Sequence, residues 1–239
     1  MFQTDPFSLI VLLVGLSLLP FVAMVATSYL KIVVVTSLIR NALGIQSIPP
    51  NMVLNAIAMI LSFYIMAPVC SEAWSIAKVE LAKTSTPQAN AASPVSGVQG
   101  GQSAGQQFFF ETDALAKAAE PFRDFLSNHT SDRERAFFVN TAERLWAKNA
   151  DEPAKVDSES FYILIPSFCV SELTKAFQIG FLVYLPFIAI DIIVSNILLA
   201  MGMMMVSPVT ISLPFKLLLF VMVDGWTLLI QGLVRGYIL

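Results

Sequence analysis

The apolar residues of this chain fall in runs long enough to cross a bilayer, which takes about 20 helical residues at 1.5 Å rise each. Phe7 to Leu30 carries no charge for 24 residues, and Asn41 to Ser71 carries none for 31. Pro49 and Pro50 interrupt the second run. A helix is therefore expected from about Asn51 to near Pro68, since proline suits the entry to a helix better than its interior. In the last third, Ala176–Ile190 and Ile192–Phe215 are separated only by Asp191, and Lys216 and Asp224 punctuate the remainder of the run. This pattern predicts two helices, at about 171–199 and 209–232, joined by a turn at Met201–Pro208.

A polar block separates the two apolar halves. Lys83 to Gln107 is rich in Ser, Thr, Gln, Ala and Gly with Lys83 its only charge, a composition that buries little and predicts a mobile linker. Phe108 to Ala150 reads as two amphipathic helices. Leu115, Ala119, Phe122, Phe125 and Leu126 recur at helical spacing, and Ser131 with Glu134 forms a capping-box pattern ahead of Phe138, Ala142 and Leu145. The expected organisation is thus helices 1 and 2 with their connecting turn 31–50 in residues 1–71, a flexible linker in 72–107, a helical hairpin in 108–160, and helices 3 and 4 in 161–239.

Composition agrees with a membrane-associated, all-α chain: 56% of residues are hydrophobic, 13% are charged, and the mean hydropathy is +0.72. Of 14 basic and 17 acidic residues, 9 and 13 lie between Ser71 and Ser160. With a net charge of −3 and no basic run, nucleic acid is excluded as a partner, because phosphate binding needs clustered Lys and Arg. Met1 to Ser8 contains Asp5 and no Lys or Arg, unlike the n-region of a signal peptide, so the first helix is expected to remain in the mature protein. Lys31 and Arg40 after that helix place residues 31–50 on the cytoplasmic side by the positive-inside tendency. Four crossings would then leave both termini outside.

The sequence offers no catalytic constellation, and no enzyme, cofactor or metal is expected. His129 is the sole histidine and reads as a solvated loop residue. Cys70 and Cys169 form no CxxC device, and they read as free buried thiols, with a disulfide the alternative. The informative residues are polar groups inside apolar helices: Glu172, Lys175 and Gln178 at spacings of three, then Asp191 and Asn196, then Lys216 and Asp224. Ionisable groups at membrane depth face protein, water or a partner charge. They can pair within the chain or across subunits, and we assign them to subunit interfaces. An Asp191–Lys216 coupling pair in a small-ion or solute transporter is the rival reading. Pro20, Pro68, Pro186 and Pro214 lie in or at the edge of apolar helices, where neighbouring protein must satisfy the freed carbonyls, which favours a multi-subunit assembly. Finally, Met201, Gly202, Met203, Met204 and Met205 form a supple apolar turn, suited either to ordinary turn packing or to a deformable seal.

Three blocks of sequence resemble the SctR/FliP family of type III secretion export-gate proteins. They are Tyr29–Val35 running into Leu38–Gly44 and Pro49–Leu54, Pro166–Leu173 with Ala176–Gly180, and Pro186–Asp191 through Ser195–Met203. The resemblance covers nearly the whole chain apart from the linker, which is longer than expected. Ser167 and Ala189 depart mildly from the family pattern, while Lys31 and Met52 resemble the injectisome branch more than the flagellar one.

The resemblance implies a subunit of a helical, right-handed hetero-oligomeric ring: a pentamer of this chain joined by the related S and T export-apparatus subunits. It further implies an inner-membrane location with most helices bent into hairpins on the periplasmic side, the same side on which the charge-based topology puts the 108–160 hairpin. Unfolded effector and needle proteins would be the cargo, and membrane lipid and other basal-body components would surround the ring. Met201, Met203, Met204 and Met205 would form a gasket around the pore. Lys31, Arg40, Pro49, Pro50 and Asn51 would mark the cytoplasmic-side turn.

Overall fold

A computed structural model describes residues 6–45, 48–85, 116–147, 156–203 and 205–238. Every regular element among them is helical: α1 (Pro6–Val25), α2 (Tyr29–Ala42), α3 (Asn51–Ser85), α4 (Glu120–His129), α5 (Asp132–Leu145), α6 (Phe161–Ala200), α7 (Pro208–Met222) and α8 (Gly225–Arg235). The expected all-α class is observed, and the 40-residue α6 is its spine, touching α2, α4, α5 and α7.

The α2–α6 contact is the heart of the molecule. Helix α2 is rich in β-branched residues, which favour helix weakly, so packing rather than propensity holds it. Its buried positions Ile32, Val35, Thr36, Ile39 and Ala42 form one stripe, whose apolar members belong to a core completed by Ala176, Phe187, Phe220 and Leu233. Gly180 permits the close approach of α6: a Cβ there would lie 2.4 Å from Leu38 Cδ1 and 3.3 Å from Leu38 Cβ. A second core joins Met66 of α3, Phe125 and Leu126 of α4, and Leu164 and Phe168 of α6, so the insertion hairpin is docked on the long helices rather than standing apart.

Several boundaries differ from those expected. The first apolar run is two helices meeting at 55°. The break at Ala26–Ser28 has no proline or glycine. It is held by hydroxyls: Ser28 Oγ donates to Ser62 Oγ at 3.2 Å, Ser62 Oγ to Thr27 Oγ1 at 3.1 Å, and Thr27 Oγ1 to the Ala23 carbonyl at 2.7 Å. Helix α3 starts at Asn51 as expected but runs through Pro68 to Ser85, so residues 72–85 of the expected linker are helical. The remainder of that linker, 86–107, lies outside the described residues, as do Leu115 and the start of the hairpin. The last apolar run is again a bent pair, α7 and α8 meeting at 58° about Asp224, whose φ is +50°. The next residue must be glycine, because a Cβ at Gly225 would lie 2.3 Å from the Phe220 ring.

In the insertion, Ser131 takes the extended N-cap geometry but makes no side-chain capping bond. Its backbone N–H donates instead to Ser171 Oγ on α6 at 3.0 Å. Of the expected α5 stripe, Ala142 is buried, whereas Leu145 is 74% exposed. Both cysteines are free, Cys70 exposed and Cys169 half-buried, so the expected burial of the thiols is not observed.

Candidate functional site

Burying a carboxylate away from water requires partners for its charge and lone pairs. Glu172 is fully buried on α6 and has three. Lys31 Nζ of α2 is 3.1 Å from Oε2, Lys175 Nζ is 3.2 Å from Oε1 one turn along α6, and the Tyr237 hydroxyl donates to Oε2 from the C-terminal segment. Lys175 also donates to the His129 carbonyl at 2.7 Å, giving a cation to the C-terminal end of α4, where helix carbonyls lack partners. Lys31 Nζ lies 3.7 Å from the centroid of the Tyr237 ring, a cation–π contact. Burial, with the Glu172 carboxylate beside it, pushes the Tyr237 hydroxyl far above the usual phenol range, so it remains a donor.

A second cluster fixes the other end of α2. Lys216 Nζ of α7 is 2.6 Å from Asp191 Oδ2 on α6 and donates to the Ala42 carbonyl at 3.3 Å. Ser212 Oγ completes the set, donating to Asp191 Oδ1 at 2.6 Å. Three helices thus meet on one ion pair. Of the nine charged residues outside Ser71–Ser160, Lys31, Glu172, Lys175, Asp191 and Lys216 are used in these two clusters. All five find partners within the chain, one of the two pairings the sequence left open, because the helices that carry them pack closely enough to pair the charges internally.

Ten residues beyond Asp191 the chain reaches the methionine turn, built as a Schellman closure. Gly202 sits at φ +73° in the left-handed region, its N–H donating to the Leu199 carbonyl at 3.0 Å, while Met203 N–H donates to the Leu198 carbonyl at 3.0 Å. Pro208 then opens α7. Met201 is 67% exposed, Met203 43% and Met205 100%, so these side chains are free of the chain's own core. Met204 lies outside the described residues.

The remaining predicted residues are dispersed. Gln178 is exposed beside Phe177 and Phe181, because six residues along a helix rotate it about 120° away from Glu172. Asn196 is exposed on α6, and Asp224 is exposed at the α7–α8 bend rather than inside a helix. Lys31 belongs to a buried cluster, not to the turn it was expected to mark. Arg40 does sit there, donating to the Pro49 carbonyl at 3.4 Å and to Asn51 Oδ1, which ties Arg40, Pro49 and Asn51 together, with Pro50 exposed between the last two. His129 is a part-buried end of α4, 4.5 Å from the Phe125 ring and 5.1 Å from the Tyr237 ring, not a solvated loop. Tyr237 carries no signal in the sequence beyond being a tyrosine near the end of an apolar run. Among the described residues no group of three or more His, Cys, Asp or Glu could hold a metal ion.

Comparison with known proteins fits this frame to a family. A family model described as the FliP family matches residues 12–233. The chain belongs to the FliP family. Among its relatives, the Yop proteins translocation protein R of Yersinia pestis is 50% identical over 233 residues, 98% of this chain and 97% of the relative. The hypersensitivity response secretion protein HrcR of Ralstonia nicotianae is 48% identical over 230 residues, 96% of each chain. The flagellar biosynthetic protein FliP of Bacillus subtilis is more distant, 38% identical over 229 residues, 96% of this chain and 90% of the relative. This FliP-family chain therefore sits nearer those secretion and translocation proteins than that flagellar one.

Proposed function

We propose that this FliP-family chain is a core export-gate subunit of a type III secretion system of the injectisome branch, resident in the bacterial inner membrane. Several copies, a pentamer in our reading, join the S and T siblings around a channel for unfolded effector and needle proteins. The observation that carries this reading, beside the family, is the methionine turn: Met201, Met203 and Met205 stand exposed on a helix pair that is clamped by the part-buried Asp191–Lys216 ion pair a few turns behind. Such a turn makes little sense for a chain acting alone. Repeated around an axis, it makes a ring that excludes water and yields to cargo.

Helix length supports an assembly held largely outside the bilayer. At 1.5 Å per residue α3 and α6 span about 52 and 60 Å, against a hydrocarbon core of about 30 Å. Among the described residues two helices are long and apolar enough to cross a membrane, or up to four if each bent pair is one span. Much of their apolar surface is uncovered: Ile60, Phe63 and Tyr64 on α3 and Phe181, Leu182 and Ile193 on α6 are each more than half exposed. Patches of this size need lipid or sibling helices to cover them. The periplasmic side is our placement for the bulk of the gate.

Gentle detergent extraction tests the proposal. A large particle retaining sibling subunits is the expected result. A monomer or dimer that moves a small solute would replace the gate with a transporter that uses Asp191 and Lys216.

A further inference from the structure

The C-terminal segment is held in a way that the gate reading does not require. After α8 ends at Arg235, Gly236 and Tyr237 turn back, with Tyr237 N–H donating to the Val234 carbonyl at 3.1 Å. The Tyr237 side chain then enters the Glu172 cluster and meets three separate parts of the chain. Its hydroxyl donates to Glu172 on α6. The Lys31 ammonium of α2 lies over one face of its ring, 3.7 Å from the centroid. The ring also stacks with Phe125 of α4 at 6.1 Å between centroids and 16° between planes, and lies 5.1 Å from the His129 ring. The same α4 end is fastened to the cluster from the other side by Lys175, through the His129 carbonyl.

We infer that Tyr237 is a latch: by docking between Glu172, Lys31 and the Phe125–His129 pair, the C-terminus couples the bent α7–α8 arm that follows the methionine turn to the inserted α4–α5 hairpin. The route is contiguous. Among the described residues, helix α8 shares no extensive contact with α4 or α5; the hairpin packs on α3 and α6, whereas α8 packs on α7 and, through Leu229 and Leu233, on the α2–α6 core. Tyr237 is the bridge between them. Its removal would leave the fully buried Glu172 carboxylate short of one donor and strip Lys31 of its aromatic face. Both the arm and the end of α4 would then open more often, since segments held by few contacts exchange through local opening. The latch is a property of the single chain, so it stands or falls apart from the assignment of the pore.

Amide hydrogen exchange on the full-length chain in its detergent-extracted assembly tests this. Tyr237→Ala should speed exchange about tenfold or more in residues 225–238 and also in 120–130, the loss expected when a hydrogen bond to a charged group disappears together with its packing. Tyr237→Phe keeps the ring and loses only the hydroxyl, and should raise exchange in both segments by a smaller factor. If Tyr237→Ala fails to assemble, Tyr237→Phe alone decides. Faster exchange confined to 225–238, or no change in 120–130 for either variant that assembles, would overturn the coupling.

Discussion

At the scale of single residues, the frame depends on which charges are buried and with whom. Glu172 is wholly buried and neutralised by two lysines, whereas Asp191 keeps a third of its side chain exposed. Breaking a buried pair by removing one partner costs about 3 to 5 kcal/mol, and partial solvent access reduces that figure. Glu172→Gln, which leaves Lys31 without its counter-charge, should therefore lower thermal stability in detergent more than Lys216→Ala, which strands the half-wet Asp191. The reverse order in a melting experiment would contradict this ranking. Gly202→Ala should cost about 1 kcal/mol, because the Schellman turn needs a left-handed residue there. That the few charges outside the central block matter is legible from their isolation in apolar runs. Their pairing is not: Lys31 and Glu172 are 141 positions apart, and no spacing rule connects them.

At the scale of elements, charge-free runs and prolines show where helices begin better than where they end. Asn51 is readable because two prolines precede it. The end of α3 is not, since neighbouring α4 and a tolerated Pro68 let the helix continue to Ser85. The bend at Asp224–Gly225 carries an available signal, the Asp-Gly pair that favours turns, which the hydropathy of its surroundings masks. The bend at Ala26–Ser28 carries none, because its stability comes from Ser62 on another helix. The α2–α6 contact makes a sharp forecast. Gly180→Ala drives a methyl into Leu38, and overpacking of this kind costs about 1 to 3 kcal/mol. Loss of assembly or a lower melting temperature is the expected result, and relief by a second change, Leu38→Ala, would locate the cause. Shortening residues 86–107, whose composition predicts little burial, should leave assembly and secretion intact; loss of assembly would show that this stretch carries contacts.

At the scale of the whole molecule, a single chain is an incomplete object. Its long helices exceed a bilayer, its apolar faces are bare, and its most flexible apolar side chains stand out at one turn. In the gate we propose, the two charged clusters, one at each end of α2, give each copy a rigid frame from which the methionine turn projects. A pore of that gate, wide enough for an unfolded chain, must be sealed when idle, and the proposed ring of Met201, Met203, Met204 and Met205 would exclude ions at rest. Conductance of the purified assembly in a planar bilayer measures this directly. Replacing Met203, Met204 and Met205 together by alanine should leave the assembly intact and raise its resting ion conductance well above wild type. An intact alanine variant as tight as wild type would contradict the gasket and put the seal elsewhere.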